Sequence, residues 1–140
     1  MDPFPMTVLL ATDGSKEAEL ASHMAAAIAK RTGSELHIVC VVDLGVAADP
    51  RLQRGLRQRA RELLDDQVRN ISESGSVVAD AHMCIGRPDR EIITLAERLG
   101  AGLIVMGSRG LGGMRRALMG SVSDSVVRDA HCPVLIARER

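Results

Sequence analysis

Apolar positions along this chain follow two alternating periods, short runs suited to strands and longer stretches of helical spacing. Residues 6–12 form a continuous apolar run, fit for a strand buried on both faces, which stops at Asp13-Gly14-Ser15. Ser15 is placed to cap a helix over residues 16–31, with Leu20, Ala21, Met24 and Ile28 on the stripe expected to be core. Glu17, Glu19, His23 and Lys30 then fall mostly outside, and Gly33 ends the helix. Residues 35–42 read as a second strand. After a loop over 44–50 comes an arginine-dense helix carrying Leu52, Leu56, Ala60, Leu63, Leu64 and Ile71, its arginines on the solvated face.

Residues 77–85 alternate less cleanly and suit an edge-side third strand. Pro88 sits at a first helical position, Ile92, Leu95, Ala96 and Leu99 give the i, i+3, i+4, i+7 set of a third helix, and Gly100 closes it. Residues 103–106 form a short buried strand, 121–130 a fourth helix and 133–137 a last strand. Strands joined by crossover helices predict an α/β fold with a parallel sheet. No repeat, low-complexity tract or linker divides the chain, so residues 1–140 are expected to form a single domain. Met6 could be a second start, which would make residues 1–5 a disordered leader.

Composition narrows the function. Eighteen basic residues balance eighteen acidic ones, so no global field recruits nucleic acid or an anionic membrane, and any anion site must be local. Phe4 is the sole aromatic residue, leaving nothing on which single-stranded bases could stack. No apolar stretch reaches the ~18 residues that span a bilayer. Cys40, Cys84 and Cys132 lack CxxC spacing and suit a reducing compartment, so a cytoplasmic location is expected.

The informative stretch runs from Gly107-Ser108-Arg109-Gly110 through Gly120-Ser121-Val122-Ser123, from a strand's end into a helix's start. Glycine there lets backbone approach a ligand closely, and the N–H groups of a helix's first turn are donors for phosphate oxygens. Hydroxyls of Ser121 and Ser123 can add hydrogen bonds, and Arg109, Arg115 and Arg116 offer local positive charge. Read alone, the same glycines also suit a loop that merely turns the chain, as Asp13 suits an ordinary turn.

The spacing Gly107-x2-Gly110-x9-Gly120-Ser121 resembles the ATP-binding pattern of universal stress proteins, Gly-x2-Gly-x9-Gly-Ser/Thr. The likeness extends to residues 9–15, similar to that family's first strand and turn, and to 132–136, similar to its last strand. The resemblance implies a five-stranded parallel sheet of order 3-2-1-4-5, of the adenine-nucleotide α-hydrolase-like kind. It implies that Ala11, Thr12 and Asp13 line an adenosine pocket, that Val41 meets adenine through its backbone, and that Met106, Gly107, Gly110, Gly120, Ser121, Val122 and Ser123 wrap ribose and phosphates. It also implies a homodimer through the last strand, at Val134, Leu135 and Ile136, an apolar edge otherwise left open.

A Walker A lysine is missing, because Gly120 is followed by Ser121-Val122. Asp124 and Asp129 read as solvated helix residues, so no water-positioning base stands out, and hydrolysis is expected to be slow or absent. His82-x-Cys84 supplies two metal-capable side chains where a structural zinc needs four, and His37, Cys40 and His131 cannot be placed beside them from sequence. Ser121 or Ser123 is a candidate to help hold Mg²⁺ on nucleotide phosphates. The expectation is an ATP-binding stress-response or signalling module. Its alternatives are a slow ATP hydrolase, or an interaction module for another adenine nucleotide such as cyclic AMP.

Overall fold

The computed structural model describes residues 1–46, 49–109 and 120–139. Its elements are β1 Thr7–Ala11, α1 Lys16–Thr32, β2 Glu35–Val42, α2 Pro50–Glu73, β3 Val78–Ile85, α3 Pro88–Leu99, β4 Leu103–Gly107, α4 Ser121–Asp129 and β5 Val134–Ala137. The strands are parallel throughout and ordered β3-β2-β1-β4-β5, as the family resemblance implied.

Because successive side chains of a strand point to opposite faces, the apolar runs of β1, β2 and β4 serve two cores at once. Val8, Leu10, Leu36, Ile38 and Val105 pack under α1 and α2, while Leu9, Val39, Ile104 and Met106 pack under α3 and α4. Leu9, Leu10 and Ile104 are fully buried, each contributing roughly 1.5–3 kcal/mol. Crossovers therefore leave β1 and β4, which pair with each other, toward opposite faces. The crevice between their carboxyl ends is the topological switch point at which open α/β sheets bind ligands.

Helix α1 keeps Ala21 and Ile28 of the expected stripe against the core but turns Leu20 and Met24 outward. Its buried face is Ala18, Ala21, Ser22, Ala25, Ala26 and Ala29, while Leu20 and Met24 are more than a third exposed. The cause is proximity: a Cβ added to Gly107 of β4 would lie 2.8 Å from the carbonyl carbon of Glu17 and 2.9 Å from the amide nitrogen of Ala18. At that spacing alanine fits between helix and sheet, and leucine or methionine is displaced to the flank. Ser15 caps α1 by accepting from the Ala18 N–H at 3.2 Å, and Gly33 ends it in the left-handed conformation with φ of 68°. On α2, Leu52 is likewise exposed rather than core.

The imperfect alternation of β3 has a physical origin. Leu36 pairs with Val78 but His37 pairs with Asp80, so Ala79 is an extra residue that shifts the phase. Beyond it, Cys84 faces the α3 side, whereas Ala81 and Met83 pack with the core under α2. Among the described residues, no helix is long and apolar enough to cross a membrane.

Candidate functional site

A cavity of about 470 Å³ opens at the switch point, within the ~300–1,000 Å³ range of small-molecule sites. Its apolar part is built by the ends of three strands and by α3: Ala11 from β1, Val39 and Val41 from β2, Met106 from β4, and Ile92 with Pro88 from α3. Its polar part is built by Thr12, Asp13 and Ser15 after β1, by Ser108 and Arg109 after β4, and by Gly120, Ser121 and Ser123 where α4 begins; Ala18, Gly107 and Val122 complete the lining. The cavity thus gathers Ala11, Thr12, Asp13, Val41, Met106, Gly107, Arg109, Gly120, Ser121, Val122 and Ser123, all singled out in the sequence. Gly110, and with it Arg115 and Arg116, lies outside the described residues.

The start of α4 is shaped for an anion. Gly120 is its N-cap and, having no side chain, makes no cap bond to the N–H groups of the first turn. Gly120 is held close to the end of β4: its N–H donates to the Ser108 carbonyl at 2.6 Å, and an added Cβ would stand 3.2 Å from that oxygen. The Ser123 hydroxyl turns inward, donating to the Ser108 carbonyl at 2.6 Å, with the Gly120 carbonyl 3.1 Å away. Ser121 therefore carries the exposed hydroxyl at this end.

Asp13 is exposed and accepts from the Ser15 N–H at 3.0 Å, while Thr12 Oγ1 accepts from the Gly14 N–H at 3.3 Å. These are turn bonds, and they fix the exposed Asp13 on the rim of the cavity and the buried Thr12 in its wall. Behind them, burial first, then the charges of Asp13 and Cys84, push the Cys40 thiol up to about 11, so it stays protonated at neutral pH.

Two carboxylates that the sequence did not single out brace this site. Glu17, expected outside, is 5% exposed. Its Oε2 accepts from the Ser108 hydroxyl and, at 3.3 Å, the Ser108 N–H; its Oε1 accepts from Arg109 Nη2 at 2.7 Å and Nε at 3.1 Å. Burial pushes this carboxyl up, but the bonds from Ser108 and Arg109 and the guanidinium's charge outweigh it, holding it below the ordinary value. Asp89, in the first turn of α3, accepts from the Ser125 hydroxyl of α4 at 2.7 Å and from Arg87 at 2.9 and 3.1 Å. Burial again acts upward and is outweighed by these bonds, so Asp89 also lies below its ordinary value. It fixes α3 against α4, and with them the wall carrying Pro88 and Ile92.

Away from the cavity, toward the amino ends of the strands, His37 and His82 meet after all. Their Nδ1 and Nε2 atoms are 3.0 Å apart, and Glu35 Oε1 lies 2.7 Å from the other nitrogen of His37. No group of three or more His, Cys, Asp or Glu side chains among the described residues is arranged for a metal ion.

Comparison with known proteins bears on this geometry. The model of the universal stress protein family matches residues 6–138. The chain belongs to the universal stress protein family. A universal stress protein of Methanocaldococcus jannaschii is 34% identical, over 94% of this chain and 81% of its own. Among solved structures, the universal stress protein UspA of Lactobacillus plantarum superposes with a TM-score of 0.82 at 25% identity, covering 95% of this chain and 97% of its own. The universal stress protein of Archaeoglobus fulgidus in complex with dAMP gives 0.75 at 25% identity, covering 95% and 98%. The fold is accordingly of the adenine-nucleotide α-hydrolase-like kind shared by universal stress proteins.

Proposed function

We propose that this universal stress protein binds ATP in the switch-point cavity and acts as a nucleotide-dependent stress-response or signalling module with little or no hydrolysis. The observation that carries the reading is one cavity with two chemistries: an apolar slot at Ala11, Val39, Val41, Ile92 and Met106, and a helix start without a side-chain cap at Gly120-Ser121. The residues fit such a ligand. The slot suits a heteroaromatic base, Asp13 on the rim and Thr12 in the wall suit a base or ribose, and the amides and hydroxyl at the start of α4 suit phosphate oxygens, with Gly110 expected beside them. Arg109, ion-paired with Glu17, stands on the same rim, and Ser121 is the hydroxyl best exposed to share a Mg²⁺ ion with the phosphates.

Asp13 separates a ligand role from a turn role. Asp13→Ala should weaken ATP binding by about tenfold, the size of one hydrogen bond to a charged group, and lower the stability of the empty protein by less than about 1 kcal/mol. A large destabilisation with unaltered affinity would leave Asp13 a turn former. Phosphate release no faster than buffer, with binding intact, is the outcome expected for a binding module and would remove the hydrolase alternative. The dAMP complex of the A. fulgidus relative favours a second reading, in which an adenine monophosphate is the ligand. Cyclic AMP or dAMP displacing ATP at lower concentration than ATP itself would establish it.

We further propose a cytoplasmic homodimer joined through β5. That strand pairs with β4 on one side and ends the sheet on the other, and its Val134, Leu135 and Ile136 are half-buried. Light scattering should give twice the chain mass at micromolar protein; a monomer mass independent of concentration contradicts this.

A further inference from the structure

Three successive residues at the mouth of the cavity, Gly107, Ser108 and Arg109, are held by the first turn of α1. Gly107 packs against the backbone of Glu17 and Ala18 too closely for any Cβ. Glu17 then receives the Ser108 hydroxyl and two N–H groups of Arg109, and shares the Ser108 N–H, at 3.3 Å, with the Ala137 carbonyl at 2.9 Å; the Ser15 hydroxyl donates to the Arg109 carbonyl at 3.4 Å. From the other side, Gly120 and Ser123 of the α4 start bind the Ser108 carbonyl. Ser108 and Arg109 lead directly into the glycine loop.

We propose that Glu17 is a positioning residue of the phosphate-binding segment: its buried carboxylate clasps Ser108 and Arg109 and so fixes the backbone from which the glycine loop departs. The inference rests on the nucleotide reading above. The clasp acts by preorganisation, since a segment ordered before the ligand arrives does not draw its ordering entropy from the binding free energy. Charge alone acts the other way. A carboxylate beside a phosphate site opposes the anion, and removing its negative charge would tighten ATP binding. The two effects have opposite signs, so one variant distinguishes them.

The test is Glu17→Gln in the full chain, compared with wild type by calorimetric titration of ATP and of adenosine and by hydrogen exchange at the amides of residues 108 and 109. The clasp predicts an ATP affinity about tenfold lower, adenosine within about twofold of wild type, and faster exchange at both amides. ATP binding that is unchanged or tighter, or a fall equal for ATP and adenosine, overturns the proposal. Arg109→Lys is the second variant: it keeps the charge but cannot place two N–H groups on one carboxylate oxygen. It should weaken ATP and spare adenosine even if Glu17→Gln does not fold, and full retention of ATP affinity would count against the clasp. If wild-type protein binds neither ligand, the nucleotide reading fails. Hydrogen exchange still decides the clasp, which unchanged protection in both variants would refute.

Discussion

Gly107→Ala should lower the stability of the empty protein by about 2–3 kcal/mol, the upper part of the range for overpacking, and its melting temperature by roughly 10 °C. The added methyl carbon would stand 2.8 and 2.9 Å from backbone atoms of Glu17 and Ala18, so no side chain can rotate out of its way. Relief requires α1 to lift from β4, which would open the alanine face beneath it and stretch the bonds from Ser108 and Arg109 to Glu17. Gly55→Ala on α2 is the matched control, because nothing lies within 4 Å of the added carbon there. That exchange should raise stability by about 0.5–1 kcal/mol through helix propensity alone. Equal melting temperatures for Gly107→Ala and wild type would mean that α1 does not sit this close to the sheet.

Gly120→Val should damage the phosphate end of the site more than Asp13→Ala, Glu17→Gln or Arg109→Lys does. Its Cβ would fall 3.2 Å from the Ser108 carbonyl oxygen and 3.4 Å from the Arg109 Cα, pressing the start of α4 away from β4. The 2.6 Å bond from the Gly120 N–H would lengthen, and two methyl groups would stand beside the amides offered to phosphate. The backbone itself is not strained, since Gly120 has φ of −67° and ψ of 162°, a conformation valine adopts readily. ATP affinity is therefore expected to fall by at least about a hundredfold, adenosine affinity by less than about fivefold, with the chain still folded. Equal losses for both ligands would place the phosphates elsewhere.

The strands were legible because an apolar run in a parallel sheet is buried on both faces and needs no partner information. Helix ends were legible for similarly local reasons: Ser15, Gly33, Pro88 and Gly100 act within one turn of where they stand. The lining of the cavity could be read through the glycine spacing and the family resemblance, since its residues sit at strand ends and at one helix start. Pro88 and Ile92 could not be read that way, because α3 reaches the cavity by packing across the sheet. Nor could Glu17. An acid at the second position of a helix ordinarily faces water and the helix dipole, and its burial here comes from residues 91 and 92 positions away. Leu20 and Met24 of the α1 stripe were misplaced for the same reason, the core face being chosen by the closeness of Gly107 rather than by the size of the helix's own side chains. His37 and His82 met because Ala79 shifts the register of β3, which no period in the sequence announces.

Whether this cavity holds ATP is tested most directly by calorimetric titration of ATP into folded protein, after removal of any nucleotide retained through purification. Saturable binding of one ATP per chain, tighter than adenosine, is the predicted result. No detectable binding at about millimolar ATP would contradict it.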